Sequence, residues 1–372
     1  MNEKIYLLKI TYFFVQKTGY ANLPLHYGHA PKWLFPRMVK LSGSIITIIN
    51  DEYGKTEVLR RLSNPYFFQA FSMVVGFDWH SSGTTTVLMG AIKEALSKSD
   101  IGIKVVGGKG KISLNTPNEI RRLGEISFIN DKYVDNLIYA SRISAKVDNT
   151  LIQDGFNLYF HTMIITEKGD WAVIQQGMNS DTRYARRYHW LGDIKSFVEE
   201  PHSGIASDLI LDKVLDLTAK ESEDTRKISL EIAKENPEKY INLFIQENKS
   251  IRTLDYFNNM KYFTMPWKIN WENLRSIYEF QPKNYEELIS LKNVGPSTVR
   301  ALAYIGNIIF GKEPSWKDPV KYSFALGGKD GVPKPVDRKA YDESISFLEK
   351  MLEGLDYSDR KIALEKLKNL VP

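Results

Sequence analysis

Histidines and aspartates that could hold a metal are concentrated in one part of this 372-residue chain, since all six histidines lie between residues 26 and 202. Imidazole and carboxylate groups together are typical ligands of divalent metals such as Mn, Mg and Zn. A metal held by such ligands can activate water for attack on a phosphodiester bond. We therefore predict a nuclease with a divalent-metal cofactor, Mn, Mg or Zn. The candidate ligands are Asp78, His80, Asp148, Asp154 and His161.

The segment AKVDNTLIQDGF also resembles the acidic cluster of a nuclease, with its carboxylates expected on strands. Asp148 and Asp154 are predicted to be catalytic, with Lys146 beside them. In RYARRYHW, Arg186 and Arg187 could hold a DNA phosphate through bidentate hydrogen bonds. The spacing matches no metal-site signature, and any one histidine can instead be a hydrogen-bonded core or surface residue. The grouping of these residues in one half of the chain favours the metal site.

A second candidate site lies in LKNVGPSTVRAL, residues 291–302. Asn284 and Glu287 have the spacing of a capping box, so a helix is predicted to begin there. Gly295 permits a positive φ, and Pro296 suits the first position of the next helix. The pattern is similar to the helix–hairpin–helix motif. An ordinary turn between two helices, marked by Gly-Pro, is the alternative.

A tight turn into a helix leaves backbone N–H groups near the positive end of the helix dipole, which is a seat for phosphate. Such contacts bind DNA without reading its sequence. Residues 283–339 carry ten Lys or Arg against six Asp or Glu, which favours a polyanionic partner. The predicted DNA contacts in this region are Lys292, Gly295, Ser297, Thr298 and Arg300.

A monofunctional DNA glycosylase is the second hypothesis. In the glycosylase superfamily that uses this hairpin, a Val-Asp pair follows it, and Val336-Asp337 follows here. Asp337 could stabilise an oxocarbenium-like sugar or orient water, although a helix N-cap is the alternative role. Ser297 occupies the position at which members with lyase activity carry Lys, and Ser cannot form a Schiff base. The walls of a base pocket would be Trp316, Tyr322 and Phe324. A DNA-binding protein without catalysis is the third hypothesis.

The predicted elements alternate between helical and strand patterns in the first half of the chain. APKWLFPRMVKLSGSIITII has apolar residues at helical spacing. Residues 158–176 predict a β-hairpin around Lys168-Gly169-Asp170. IGIKVVGGKGKISL predicts another strand pair joined through Gly107-Gly108. The GGKGK within it is not predicted to be a P-loop, because it lacks the spacing of that phosphate-binding motif.

From residue 251 onward the pattern is almost wholly helical. We therefore predict an α+β fold, with a mixed N-terminal domain that contains a small antiparallel sheet, followed by an all-α helix–hairpin–helix domain. The predicted divisions are an N-terminal extension at 1–16, a catalytic domain at 17–207, a helical linker at 208–250 and a DNA-binding domain at 251–372.

Composition excludes several classes of protein. The chain has no cysteine, which excludes disulfides, cysteine-ligated zinc, iron–sulfur clusters and thiol nucleophiles. Its net charge of +5 permits a polyanionic partner without requiring one. The apolar run at the start is interrupted by Lys9 and is too short to span a bilayer. A cytoplasmic protein without a membrane partner is predicted, and the oligomeric state is left open.

Several blocks of the chain resemble an uncharacterised family, domain-of-unknown-function family 763, which is found in archaea and some bacteria. The blocks are KTGYANLPLHYGHAPKWLF, FQAFSMVVGFDWHSSGTTT, AKVDNTLIQDGF, WAVIQQGMN, TRYARRYHW and GGKDGVPKPVDR. The resemblance extends over nearly everything from Lys17 onward, where family members tend to begin. It carries no activity, but implies that the histidine and aspartate blocks occur together with the hairpin.

Overall fold

The computed structural model describes residues 34–76, 82–182, 184–207, 209–240 and 271–321. Within these residues the fold is α+β, as predicted. A five-stranded antiparallel sheet has the strand order β1-β3-β4-β5-β6, and two short strands, β2 and β7, pair with each other. The strands are β1 (Ile103–Lys109), β2 (Ile152–Gln153), β3 (Asn157–Thr166), β4 (Trp171–Met178), β5 (Ala185–Leu191), β6 (His202–Ala206) and β7 (Leu215–Asp216).

Helices cover both faces of the large sheet. Four of them belong to the first face: α1 (Phe35–Tyr53), α2 (Lys55–Leu62), α3 (Pro65–Val74) and α4 (Ser82–Ser97). The others are α5 (Lys111–Leu114), α6 (Thr116–Glu125), α7 (Asp131–Thr150), α8 (Glu223–Lys234), α9 (Trp271–Phe280), α10 (Tyr285–Ser290) and α11 (Pro296–Phe310).

The alternation of side chains along the strands assigns each residue to one of the two faces. Val105 and Ile164 pack with α1 to α4 in one apolar cluster. Their chain neighbours Val106, Met163 and Ile165 pack in a second cluster that includes residues of α7 and α8. Strands buried on both sides in this way are almost continuously apolar, so the few polar residues within them stand out.

The predicted helix and hairpin of the first half are confirmed. The helix forms as α1, and β3 and β4 pair around the turn at Gly169, which has φ of +86°. Asn64 caps α3, because its side chain accepts hydrogen bonds from the N–H groups of Tyr66 and Phe67. Pro65 then occupies the first turn of that helix, where its missing N–H costs nothing.

The predicted strand pair around Gly107-Gly108 is wrong. Both glycines lie inside the single strand β1, which runs on to Lys109 and pairs with β3 throughout. Gly107 has φ of +87°, and a Cβ there would overlap the carbonyl oxygen of His161, so the glycine permits close approach of two strands. The chain turns at Gly110, and a short helix follows in place of a second strand.

The helices of the C-terminal part share a core with the N-terminal part. Leu288, Val299 and Leu302 belong to the same buried cluster as Val106 and Val147. Residues 209–222 carry β7 and a 3-10 turn, and the helix of the predicted linker begins only at Glu223. The division of the chain at residue 207 stays a prediction.

No helix in the described part of the chain is both long enough and apolar enough to cross a lipid bilayer.

Candidate functional site

A buried carboxylate, Asp148, lies between α7 and the sheet and is bonded by donors from three strands. Gln175 of β4 donates from Nε2 to Asp148 Oδ2 over 2.6 Å. Trp190 of β5 donates from Nε1 to the same oxygen over 3.0 Å. His202, the first residue of β6, has Nε2 2.5 Å from Asp148 Oδ1. Burial raises the pKa of Asp148, while the neighbouring His202 and the indole N–H of Trp190 oppose that rise.

The same network continues from Gln175 to His161 and Ser141. Gln175 turns its amide N–H toward Asp148, so its Oε1 accepts a hydrogen bond from His161 Nδ1 at 2.8 Å. Nε2 of the same imidazole is then an acceptor for the Ser141 hydroxyl, at 2.8 Å. Burial lowers the pKa of His161 to about 4, so the ring is neutral at physiological pH.

Strand register and helix periodicity bring these residues together. His161 and Gln175 are direct partners in the pairing of β3 with β4. Ser141 and Asp148 are seven residues apart on α7, which is two turns, so both face the sheet. Sequence reasoning found Asp148 and His161 but missed Ser141, Gln175 and His202. The available signals were a glutamine inside an apolar strand and the two-turn spacing on the helix.

The predicted placement of Asp148 and Asp154 on strands is wrong. Asp148 lies on α7, and Asp154 lies in the loop after β2. Asp154 Oδ2 accepts hydrogen bonds from Arg186 Nη1 and from the Tyr188 hydroxyl, each at 2.8 Å. Burial raises the pKa of Asp154, and Arg186 opposes that rise. This carboxylate is one member of a separate buried ion cluster.

Arg186 cannot serve as an exposed phosphate clamp, because its side chain is buried between two carboxylates. Its Nη1 lies 2.8 Å from Asp154 Oδ2, and its Nη2 lies 2.7 Å from Asp318 Oδ2. The guanidinium also stacks over Phe156, 4.6 Å from the ring centroid. Two carboxylates and an aromatic face therefore occupy the surfaces that a phosphate would need.

The structure also does not place Arg187 at a phosphate site or Lys146 beside the predicted acidic cluster. Arg187 is buried on the opposite face of the sheet, where its Nη2 donates to Gln69 Oε1 over 2.9 Å. Lys146 donates from Nζ to the carbonyl oxygen of Leu291 over 3.0 Å, and burial lowers its pKa. Lys146 therefore contacts the C-terminal hairpin and is not part of the acidic cluster.

The predicted metal ligands do not converge where they are described. Asp148 and His161 are bonded to opposite ends of Gln175, and Asp154 belongs to the Arg186 cluster. Across residues 34–76, 82–182, 184–207, 209–240 and 271–321, no group of three His, Asp or Glu side chains could hold a metal ion. Outside these ranges lie Asp78, His80, Tyr322, Phe324 and Asp337.

The C-terminal hairpin forms as two helices, α10 and α11, joined by a short turn. Asn284 Oδ1 accepts from the N–H of Glu287 at 2.8 Å, and Glu287 Oε2 accepts from the N–H of Lys283 at 2.6 Å. This reciprocal pair resembles the predicted capping box. Gly295 is the N-cap of α11 with φ of −129°, so the positive φ that we expected is not observed. The motif as a DNA-binding device stays a prediction.

The start of α11 faces an open cavity of about 740 Å³, lined by Trp271, Asn293, Gly295, Ser297 and Thr298 among others. Ser297 and Lys292 are exposed, whereas Thr298 is buried. Arg300 donates from Nε to Gln153 Oε1 over 2.5 Å, and burial lowers its pKa. The exposed members of the predicted DNA-contacting set are therefore Lys292 and Ser297.

A family model described as a protein of unknown function (DUF763) matches residues 19–336. No curated protein and no solved structure matches the chain.

The Arg186 cluster predicts a structural role for Asp154. We expect Asp154→Ala to lower the free energy of unfolding by about 3–5 kcal/mol, because it leaves a buried guanidinium with one carboxylate fewer. Urea unfolding followed by circular dichroism measures this change. Glu223→Ala, which removes a solvent-exposed pair with Lys227, is the matched control and should change little. Equal effects of the two substitutions would contradict the buried cluster.

The neutral His161 predicts a loss of stability in mild acid. Its folded pKa is about 4, whereas the unfolded side chain titrates near its ordinary 6.5, so the unfolded chain alone binds a proton between these values. The free energy of unfolding should therefore fall by up to about 3 kcal/mol between pH 6.5 and 4. His161→Gln removes this titration, so urea midpoints from pH 7 to 4 should fall less steeply. Identical slopes for both proteins would show that the pKa of His161 is the same in the folded and the unfolded chain, which contradicts its lowered value.

Proposed function

Because the chain belongs to DUF763, a family of proteins of unknown function, we propose from its own residues that it binds DNA through the backbone and hydrolyses phosphodiester bonds. The C-terminal hairpin is the binding element in this proposal. The proposed contacts go to phosphate groups, so the affinity would depend little on the DNA sequence.

The observation that carries the proposal is the uncapped start of α11. Among the described residues, no side chain caps this 15-residue helix, and no backbone acceptor lies against the N–H groups of Ser297 and Thr298. Uncapped N–H groups at the positive end of a helix dipole bind anions. A Cβ on Gly295 would meet nothing within 4 Å, so a phosphate can approach the backbone closely there.

The surroundings of the turn also support binding to a polyanion. Lys292 is exposed three residues before Gly295, and the open cavity of about 740 Å³ lies against the turn. Backbone N–H groups and a nearby lysine together provide the sequence-independent part of nucleic-acid affinity, which weakens as salt rises.

Hydrolysis is the part of the proposal that depends on the predicted cofactor, Mn, Mg or Zn. Asp148, His161 and Asp154 are committed to hydrogen bonds within the protein. Asp78 and His80 are the members of the predicted ligand set that remain for a metal. The metal requirement therefore needs a test that is separate from the test of binding.

Binding is tested by placing a negative charge at the start of α11. We expect Ser297→Asp to stabilise the helix, because a carboxylate favours the positive end of its dipole, but to repel DNA phosphate. Affinity for a duplex of arbitrary sequence, measured by fluorescence anisotropy, should fall about tenfold or more. Ser297→Ala, which adds no charge, is the matched control and should bind as the native protein does. Equal binding by both variants would place the DNA contact elsewhere.

Hydrolysis is tested by incubating the protein with labelled single- and double-stranded DNA in Mn or Mg, and then in EDTA. We expect cleavage that stops in EDTA and returns when metal is restored, because bound metal activates the attacking water. Binding of DNA in EDTA should persist, since the α11 contact uses backbone N–H groups. Intact DNA under every metal condition, with binding retained, would leave a DNA-binding protein without nuclease activity.

A further inference from the structure

A second, smaller cavity opens above the Asp148 network, and its volume is about 200 Å³. His202 lines it, and its side chain is only 7% exposed. The remaining walls come from β6, from β7, from the segment that follows β7 and from residues 315–321, with Glu200 at the edge. The other polar side chains around the cavity are Glu200, Asp216, Thr218, Glu221, Ser315, Lys317, Asp318 and Lys321.

His202 is held in one orientation by its buried partners. Its Nε2 lies 2.5 Å from Asp148 Oδ1, and its ring meets Trp190 edge to face, with centroids 4.6 Å apart. Asp148 accepts two further hydrogen bonds on Oδ2, from Gln175 and Trp190, so Oδ1 is left for His202. A neutral imidazole that donates to Oδ1 carries its proton on Nε2. Nδ1 then presents a lone pair, and none of the described residues bonds to it.

The charges of the lining disfavour a phosphate and favour a ligand with N–H donors. Four carboxylates, from Glu200, Asp216, Glu221 and Asp318, line the cavity against two lysines, Lys317 and Lys321. Asp318 is paired with the buried Arg186, whereas Glu200 and Glu221 are exposed, as are both lysines. Asp216 Oδ1 already accepts hydrogen bonds from Thr218 N and Oγ1, at 2.8 and 2.6 Å. Asp318 accepts hydrogen bonds on both of its oxygens. The carboxylates of Glu200 and Glu221 and His202 Nδ1 are acceptors that a phosphate could not satisfy but that amino and imino groups could.

The size of the cavity restricts the ligand further. Sites for drug-sized ligands are about 300–1,000 Å³, so a cavity of about 200 Å³ admits only a small chemical group. It cannot admit a base pair.

The cavity is joined directly to the hairpin turn through β2. Gln153 of β2 donates from Nε2 to the carbonyl oxygen of Pro296, at the start of α11, over 2.9 Å. Ile152, its neighbour in β2, pairs with Asp216, which lines the cavity. Asp216 in turn forms a β-bridge with Ser315, another lining residue. The start of α11 and the wall of the cavity are therefore linked through the two residues of β2.

We propose that this cavity receives a single unpaired nucleobase of the DNA strand whose backbone the hairpin holds. Acceptors on His202 and the surrounding carboxylates would bond the N–H groups of the base, with Asp148 as the residue that positions the imidazole. The proposal rests on the proposed DNA binding and adds a preference for DNA structure. Extruding a base costs a few kcal/mol and costs least where the base is mispaired or single-stranded, so mispaired DNA is preferred over fully paired DNA.

The experiment compares the affinity of the full chain for two duplexes, one fully paired and one with a single mispaired 2-aminopurine. We expect about tenfold tighter binding of the mispaired duplex, because its base is already unpaired. The fluorescence of 2-aminopurine, which stacking quenches, should rise on binding.

Two variants test the cavity by different routes. Ala219→Leu fills it without removing a side-chain hydrogen bond, since Ala219 lines the cavity with extended backbone. His202→Gln retains a donor to Asp148 but loses the Nδ1 acceptor. Both should bring the affinity ratio of the two duplexes close to one and abolish the fluorescence rise. Lys220→Ala, an exposed neighbour outside the cavity, is the matched control and should leave both readouts unchanged.

The outcomes separate this proposal from the proposed DNA binding. Ser297→Asp should weaken binding of both duplexes and leave their ratio unchanged, whereas the cavity variants should change the ratio and leave binding of paired DNA unchanged. A native protein that binds both duplexes equally, without a rise in fluorescence, overturns the cavity proposal and leaves the hairpin proposal standing. A native protein that binds neither duplex overturns both.

Discussion

The buried carboxylate of Asp148 is the interaction on which the arrangement of this molecule depends. A carboxylate removed from water destabilises the fold unless donors replace the lost hydration. Here the donors come from β4, β5 and β6, while the carboxylate itself comes from α7. The requirement to satisfy one charge therefore fixes the position of a 20-residue helix against three strands. His161 extends the same constraint to β3 through Gln175.

The Arg186 cluster is a second set of buried charges whose members must satisfy one another, and it lies at the opposite end of β5 from Trp190. Arg186 lies on β5, and its two carboxylates come from distant parts of the chain, Asp154 after β2 and Asp318 near the end of the described residues. Removing one member of a buried ion cluster destabilises the fold, because the charges that remain are buried without a full set of partners and without water. The C-terminal segment is thus tied to the sheet by a requirement that an exposed ion pair would not impose.

The sequence predicts the parts of this structure that depend on local pattern. The helix α1, the β3–β4 hairpin and the cap at Asn284 follow from periodicity and turn chemistry within a few residues. Gly107 misled the prediction because a positive φ serves a turn and a close strand approach equally well, and only the partner strand distinguishes them. The roles of Asp148 and Arg186 depend on partners 27 or more residues away, which no local pattern contains. Residue types suited to catalysis are equally suited to buried polar networks.

The buried network and the two cavities are nevertheless one connected structure. Asp148 holds His202 at the wall of the smaller cavity, and β2 connects the wall of that cavity to the start of α11 through Gln153. Gln153 also accepts from Arg300, so the hairpin is bonded to the N-terminal part at two points of one side chain. A ligand that orders the turn would therefore act on β2 directly. Because β2 is bonded both to the start of α11 and to the strand that lines the smaller cavity, its hydrogen bonds relate the positions of these two parts of the molecule.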